Sequence, residues 1–81
     1  MEKIEFMELC RKSLKEVRPN SIEITVDDYD TTFKDLGFDS LDVMMFLLAL
    51  DTALDREMAK LDIQAYNTPN KIYQFYMEAV K

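Results

Sequence analysis

Val43 to Leu50 reads Val-Met-Met-Phe-Leu-Leu-Ala-Leu, an apolar run without a break. Wound at 3.6 residues per turn, it covers the whole circumference of a helix. Such a helix must be enclosed by protein or must touch a partner. The run is far short of the roughly 20 residues that cross a bilayer. The chain has 81 residues, enough for a single domain spanning 1–81 and one packed bundle. In so small a bundle a helix has one core-facing stripe, so the run cannot all point inward. Phe46, Leu47, Leu50 and Leu54 form one stripe; Leu41, Met44, Met45 and Leu48 lie largely on another. Asp39 is placed to cap this helix over residues 39–54, with Asp42 three residues on in a capping-box position.

Two further helices follow from periodicity. Over residues 3–17, Ile4, Met7, Cys10, Leu14 and Val17 recur at three- and four-residue spacing, with Phe6 and Leu9 beside them; Pro19-Asn20 ends the segment. Thr68 then Pro69 mark a helix start, and Ile72, Phe75, Tyr76, Ala79 and Val80 carry an apolar face onward. Between the first two helices, residues 18–38 lack helical period. Ile22, Ile24 and Val26 alternate as in a strand, but no second alternating run exists to pair with them. The expectation is an extended loop with those three residues against the helices and Phe33 and Leu36 anchoring its far end. A loop that long must be packed or functional. Met58, Leu61, Ile63 and Tyr66 would dress either a short helix or a structured loop within residues 55–67. The fold class is all-α.

Several functions are excluded by residue type. Histidine is absent, which removes the commonest general base and its metal sites. The single cysteine, Cys10, sits on the apolar stripe and reads as a buried small hydrophobe; alone it forms no internal disulfide or multi-cysteine zinc site. The opening residues are acidic and periodic and do not read as a signal peptide, so a cytosolic address is expected. Net charge is −6, a poor match to nucleic acid. Residues 19–55 hold nine acids against the single base Lys34, whereas the flanking segments are each slightly basic. A local field of that sign attracts basic surfaces and speeds encounter with them.

The stretch Asp35-Leu36-Gly37-Phe38-Asp39-Ser40-Leu41-Asp42 concentrates the chemistry. Gly37, the only glycine, stands where a turn needs positive φ or a close backbone approach. Ser40 falls in the first turn of the following helix, where free amides and the helix dipole favour an anionic substituent. With no histidine, and no lysine apparent nearby, Ser40 is a poor nucleophile of its own. On residue types alone, a serine there is more commonly a cap than an attachment point.

Leu36-Gly37-Phe38-Asp39-Ser40-Leu41 resembles the attachment signature of acyl carrier proteins, Leu-Gly-x-Asp-Ser-Leu. The length, the long first loop and the acidic middle are similar too, and the likeness runs ungapped from about Leu36 to Tyr76 and more loosely over the first helix. The resemblance implies a four-helix bundle, three longer helices plus a short third one within about Lys60–Ala65. It implies 4′-phosphopantetheine on Ser40, donated by coenzyme A. A separate phosphopantetheinyl transferase would supply base and Mg²⁺, with Asp39 helping to hold that metal; the isolated protein would hold none. The arm would carry acyl groups as thioesters for fatty-acid, polyketide or related biosynthesis. Such a chain is a carrier, not an enzyme; the chemistry belongs to the cofactor and to partner enzymes. The implied contacts for partners with basic or apolar surfaces are Leu41, Asp42, Met44, Met45, Leu48, Asp51 and Met58, on a monomer that does not span a membrane.

The chain also departs from the family pattern. Members often have glutamate where Met45 stands, more acids after Leu50, and isoleucine-proline where this chain has Met58-Ala59. A greasier second-helix face points to a specialised carrier with its own partners. Two alternatives stand beside this reading. One is a carrier-like module that binds partners non-covalently; the other is a peptidyl carrier, in which a second glycine commonly precedes the serine.

Overall fold

The computed structural model describes residues 1–79. Three helices make up the fold: α1 (Lys3–Val17), α2 (Ser40–Leu54) and α3 (Pro69–Ala79). Two 3-10 turns, Val26–Asp28 and Met58–Lys60, punctuate the connections, and there is no strand among the described residues.

On α1, Phe6, Met7, Cys10, Ser13 and Leu14 are buried. The stripe is centred on the row Phe6–Cys10–Leu14. At about 100° per residue, Ile4 falls roughly 120° away from that centre. Ile4 is accordingly 61% exposed, contrary to the periodicity reading, which placed it on the core stripe. Pro19 disfavours helical backbone at the residue before it, and Arg18 is extended at φ −137°, ψ 91°.

The long connection is packed, as its length required. Phe33 and Leu36 are buried, and the Phe33 ring lies 5.4 Å from that of Phe46. The Phe33 amide donates to the Asn67 carbonyl (3.0 Å) and the Asn70 amide to the Tyr29 carbonyl (2.9 Å), strapping the loop to the start of α3. Of the three alternating residues only Ile24 is buried; Ile22 and Val26 are exposed. A turn explains the loss of alternation. Thr25 Oγ1 accepts from the Asp27 amide, and Asp28 Oδ2 accepts from the Thr25 amide. This capped 3-10 turn swings Val26 out of the line that an extended chain would keep.

On α2, Val43, Phe46, Leu47 and Leu50 are buried, and Leu54 packs at the edge of the core. Leu41, Met44, Met45 and Leu48 are exposed, so the two-faced reading of the apolar run holds. The helix ends at Asp55 in the left-handed region, φ 55°. On α3, the Lys71 amide donates to Thr68 Oγ1 at 3.2 Å, as expected of Thr68 before Pro69. Ile72 is fully buried, with Phe75 and Tyr76 half-buried. Val80 lies outside the described residues.

The short third helix expected within Lys60–Ala65 does not form. A 3-10 turn closes earlier, at Met58–Lys60, and Leu61 is extended at φ −67°, ψ 145°. Asp62 Oδ1 then accepts from the Gln64 amide (3.0 Å), and the Asp62 carbonyl from Ala65 and Tyr66. A side chain bound to its own neighbouring backbone competes with helix propagation. The architecture is therefore three helices and an ordered connector.

Candidate functional site

Ser40 is the first residue of α2, and its position is set by the turn before it. The Leu36 amide donates to the Thr32 carbonyl (3.1 Å), Gly37 to Lys34 (3.0 Å) and Phe38 to Phe33 (2.9 Å). Gly37 sits at φ +94°, yet a Cβ built there would meet nothing within 4 Å. Its backbone conformation, and not crowding, is what calls for glycine. Phe38 is buried, which ties the turn to the core directly beside the serine.

The capping box forms as the spacing implied. The Asp42 amide donates to Asp39 Oδ1 at 2.8 Å, and the Asp39 amide to Asp42 Oδ2 at 3.1 Å. Asp39 is thus the cap, which leaves the Ser40 hydroxyl exposed and free of that duty. The amides of Ser40 and Leu41 have no acceptor among the described residues. They point along the positive end of α2, a setting suited to a phosphate.

Arg18 holds this corner to the end of α1. Its guanidinium donates to the Gly37 carbonyl (2.6 Å) and to Asp42 Oδ2 (3.1 Å), and lies over the Phe38 ring. Sequence reasoning missed Arg18, because its partners lie 19 and 24 residues away and no local pattern links them. Lys34 was missed as a neighbour of Ser40. Two clefts, of about 240 and 440 Å³, flank the serine, and Lys34, Phe38 and Asp39 line both. The smaller cleft continues between Val43 and Ile63. No hydrogen bond joins Lys34 to Ser40 among the described residues, so no nucleophile–base pair is built here.

The residues expected to meet partners divide. Leu41, Met44, Met45 and Leu48 share the outer face of α2. Met58 is fully buried and is removed from that set: its side chain fills the core under the 3-10 turn. Asp51 is turned to structural use, its carboxylate accepting from the amides of Met58 and Ala59. Asp42 is likewise engaged, with only 14% of its side chain exposed. No group of three or more His, Cys, Asp or Glu side chains able to hold a metal ion occurs among the described residues.

The geometry is that of a helical scaffold presenting one unencumbered serine at a helix start, beside an apolar-walled cleft. Comparison with known proteins agrees. A family model described as a phosphopantetheine attachment site matches residues 7–76. Acyl carrier proteins of three Clostridium perfringens strains, SM101, ATCC 13124 and 13, are each 29% identical over 68 residues, covering 80% of this chain and 90% of the relative. No solved structure matches the chain. The chain belongs to the acyl carrier protein family, whose shared domain is a phosphopantetheine attachment site. Its role is that of a carrier, and its cofactor is 4′-phosphopantetheine. The residues present fit that group: an exposed hydroxyl, unpaired amides at a helix start, and a cleft alongside.

Proposed function

We propose that Ser40 carries the 4′-phosphopantetheine arm as a phosphodiester and that the arm's thiol holds acyl intermediates as thioesters, in fatty-acid, polyketide or related biosynthesis. The observation that carries this reading is that Asp39, and not Ser40, caps α2, so the exposed serine has no structural task. A partner transferase would provide the base and Mg²⁺ for loading. Asp39 is an exposed residue and keeps one oxygen, Oδ2, outside the capping bond, which supports a role in holding that metal.

The outer face of α2 is the docking surface in this reading. Leu41, Met44, Met45 and Leu48 present a connected apolar strip leading away from Ser40. Methionines suit such a surface because they adapt to differently shaped partners. The acidic segment around the strip favours enzymes with basic rims. The greasy character of the strip favours a specialised set of partners.

The test is intact mass after incubation with coenzyme A and a broad-specificity phosphopantetheinyl transferase. One phosphopantetheine per chain is expected. Ser40→Ala should not load, and should lose less than about 0.5 kcal/mol of stability because the cap is intact. Loading that persists in folded Ser40→Ala overturns the assignment.

A further inference from the structure

A phosphodiester on Ser40 brings one more negative charge to the most acidic part of the molecule. Asp39 is adjacent, Asp42 lies one turn into the same helix, and residues 19–55 already carry eight net negative charges. The helix start and its two open amides offset part of that repulsion. Two cations stand near enough to offset more. Arg18 is committed: it binds the Gly37 carbonyl and Asp42, and it lines neither of the clefts that reach Ser40. Lys34 is the only base in residues 19–55, it is exposed, and it lines both clefts together with Ser40. Neither ion pair among the described residues involves it.

We propose that Lys34 is the counter-ion of the phosphodiester on Ser40 and thereby sets the direction in which the arm leaves α2. This inference rests on Ser40 being the attachment site. An ammonium on a flexible stem suits the task, because it can follow a phosphate as a point charge without demanding one geometry. Lys34 borders both clefts, so pairing with the phosphate biases the arm to start along the groove between Phe38 and the ammonium instead of toward the outer face of α2. Solvent and salt screen an exposed pair, so the arm remains able to leave when a partner enzyme docks.

The test is made on the fully loaded chain, with loading site and extent first fixed by mass spectrometry. In the wild type, nuclear Overhauser cross-peaks are expected between the Lys34 ε-methylene protons and the arm protons nearest the phosphate. The ³¹P resonance should move when salt is raised. Lys34→Gln should lose the salt response and shift the ³¹P line, Lys34→Arg should keep both features, and Lys12→Gln, on the exposed side of α1, should change neither. Loading on Ser40 with no Lys34 contact, and a ³¹P line indifferent to Lys34→Gln, overturns this inference and leaves the attachment site standing. So does a Lys34→Gln chain that loads slowly but holds its arm as the wild type does; Lys34 would then belong to the transferase encounter. Loading at another residue overturns the attachment site itself.

Discussion

α1 and α2 are the same length and pack against each other, but they deploy their side chains in opposite ways. On α1 the apolar residues other than Ile4 face in, and Glu5, Glu8, Lys12 and Glu16 face solvent. On α2 the carboxylates serve the fold: Asp42 closes the capping box and pairs with Arg18, and Asp51 holds the 3-10 turn. The large apolar residues α2 sends to solvent are Leu41, Met44, Met45 and Leu48. Scattered exposed apolar residues need no explanation, but a strip of four on one face, beside an exposed serine, does. The contrast separates a helix made for packing from one made for packing on one side and recognition on the other.

The most forceful way to break that contrast is truncation. Phe46 is fully buried against Phe33, so Phe46→Ala should cost about 3–5 kcal/mol, a large share of the stability of so small a domain. Met44→Ala and Met45→Ala should each cost only about 1 kcal/mol in urea unfolding, because about half of each side chain stays in water in the folded chain. Their expected effect is on binding of the cognate partner. Midpoints lowered as far by the methionine variants as by a milder core change, Leu50→Ala, would make the outer strip part of the core.

A smaller effect sharpens the α1 side. Burial pushes the Cys10 thiol well above its ordinary value. The folded chain therefore keeps a proton that the unfolded chain gives up. Stability is full below about pH 8.5, where the unfolded thiol is protonated, and falls as pH rises toward the folded value, by up to about 1.4 kcal/mol per pH unit. Burial also raises the Tyr29 phenol, which adds the same sign from about pH 10, so the comparison belongs below that. Unfolding curves of wild type and Cys10→Ala should differ in slope between pH 8.5 and 10 on this account. Parallel slopes would mean that the thiol is accessible and α1 less closed than described.

The least effect concerns how the helices stop. α1 ends before Pro19, whereas α2 ends on Asp55 at φ 55°, where a side chain is disfavoured. Asp55→Gly should raise stability by about 0.5 kcal/mol, the relief of the left-handed strain exceeding glycine's added freedom when unfolded. A loss of stability would show that the Asp55 side chain contributes a contact worth more than the strain.

Much of this contrast could be read from the chain. Periodicity located all three helices, because each carries a cap or stop residue at its ends: Pro19, Asp39, Thr68 and Pro69. The serine's place followed from the Gly37 and Asp39 spacing. What could not be read depended either on contacts distant in sequence or on turns that fold near neighbours back on one another. Arg18 reaches across to Gly37 and Asp42, and Lys34 joins Ser40 at the clefts through the turn at Gly37. Met58 stood among the partner contacts only through the family resemblance, and nothing in its neighbours in sequence shows that Asp51 draws the 3-10 turn inward. Ile22 and Val26 kept a strand's alternation in a segment that two turns bend.

The central claim is that α2 begins with a modifiable serine, and fragmentation of the loaded full-length chain tests it most directly. After transfer from coenzyme A, the added mass should map to Ser40 alone, with Ser13 and Ser21 unmodified. A folded chain that never loads, or one whose added mass lies on another residue, would contradict the account.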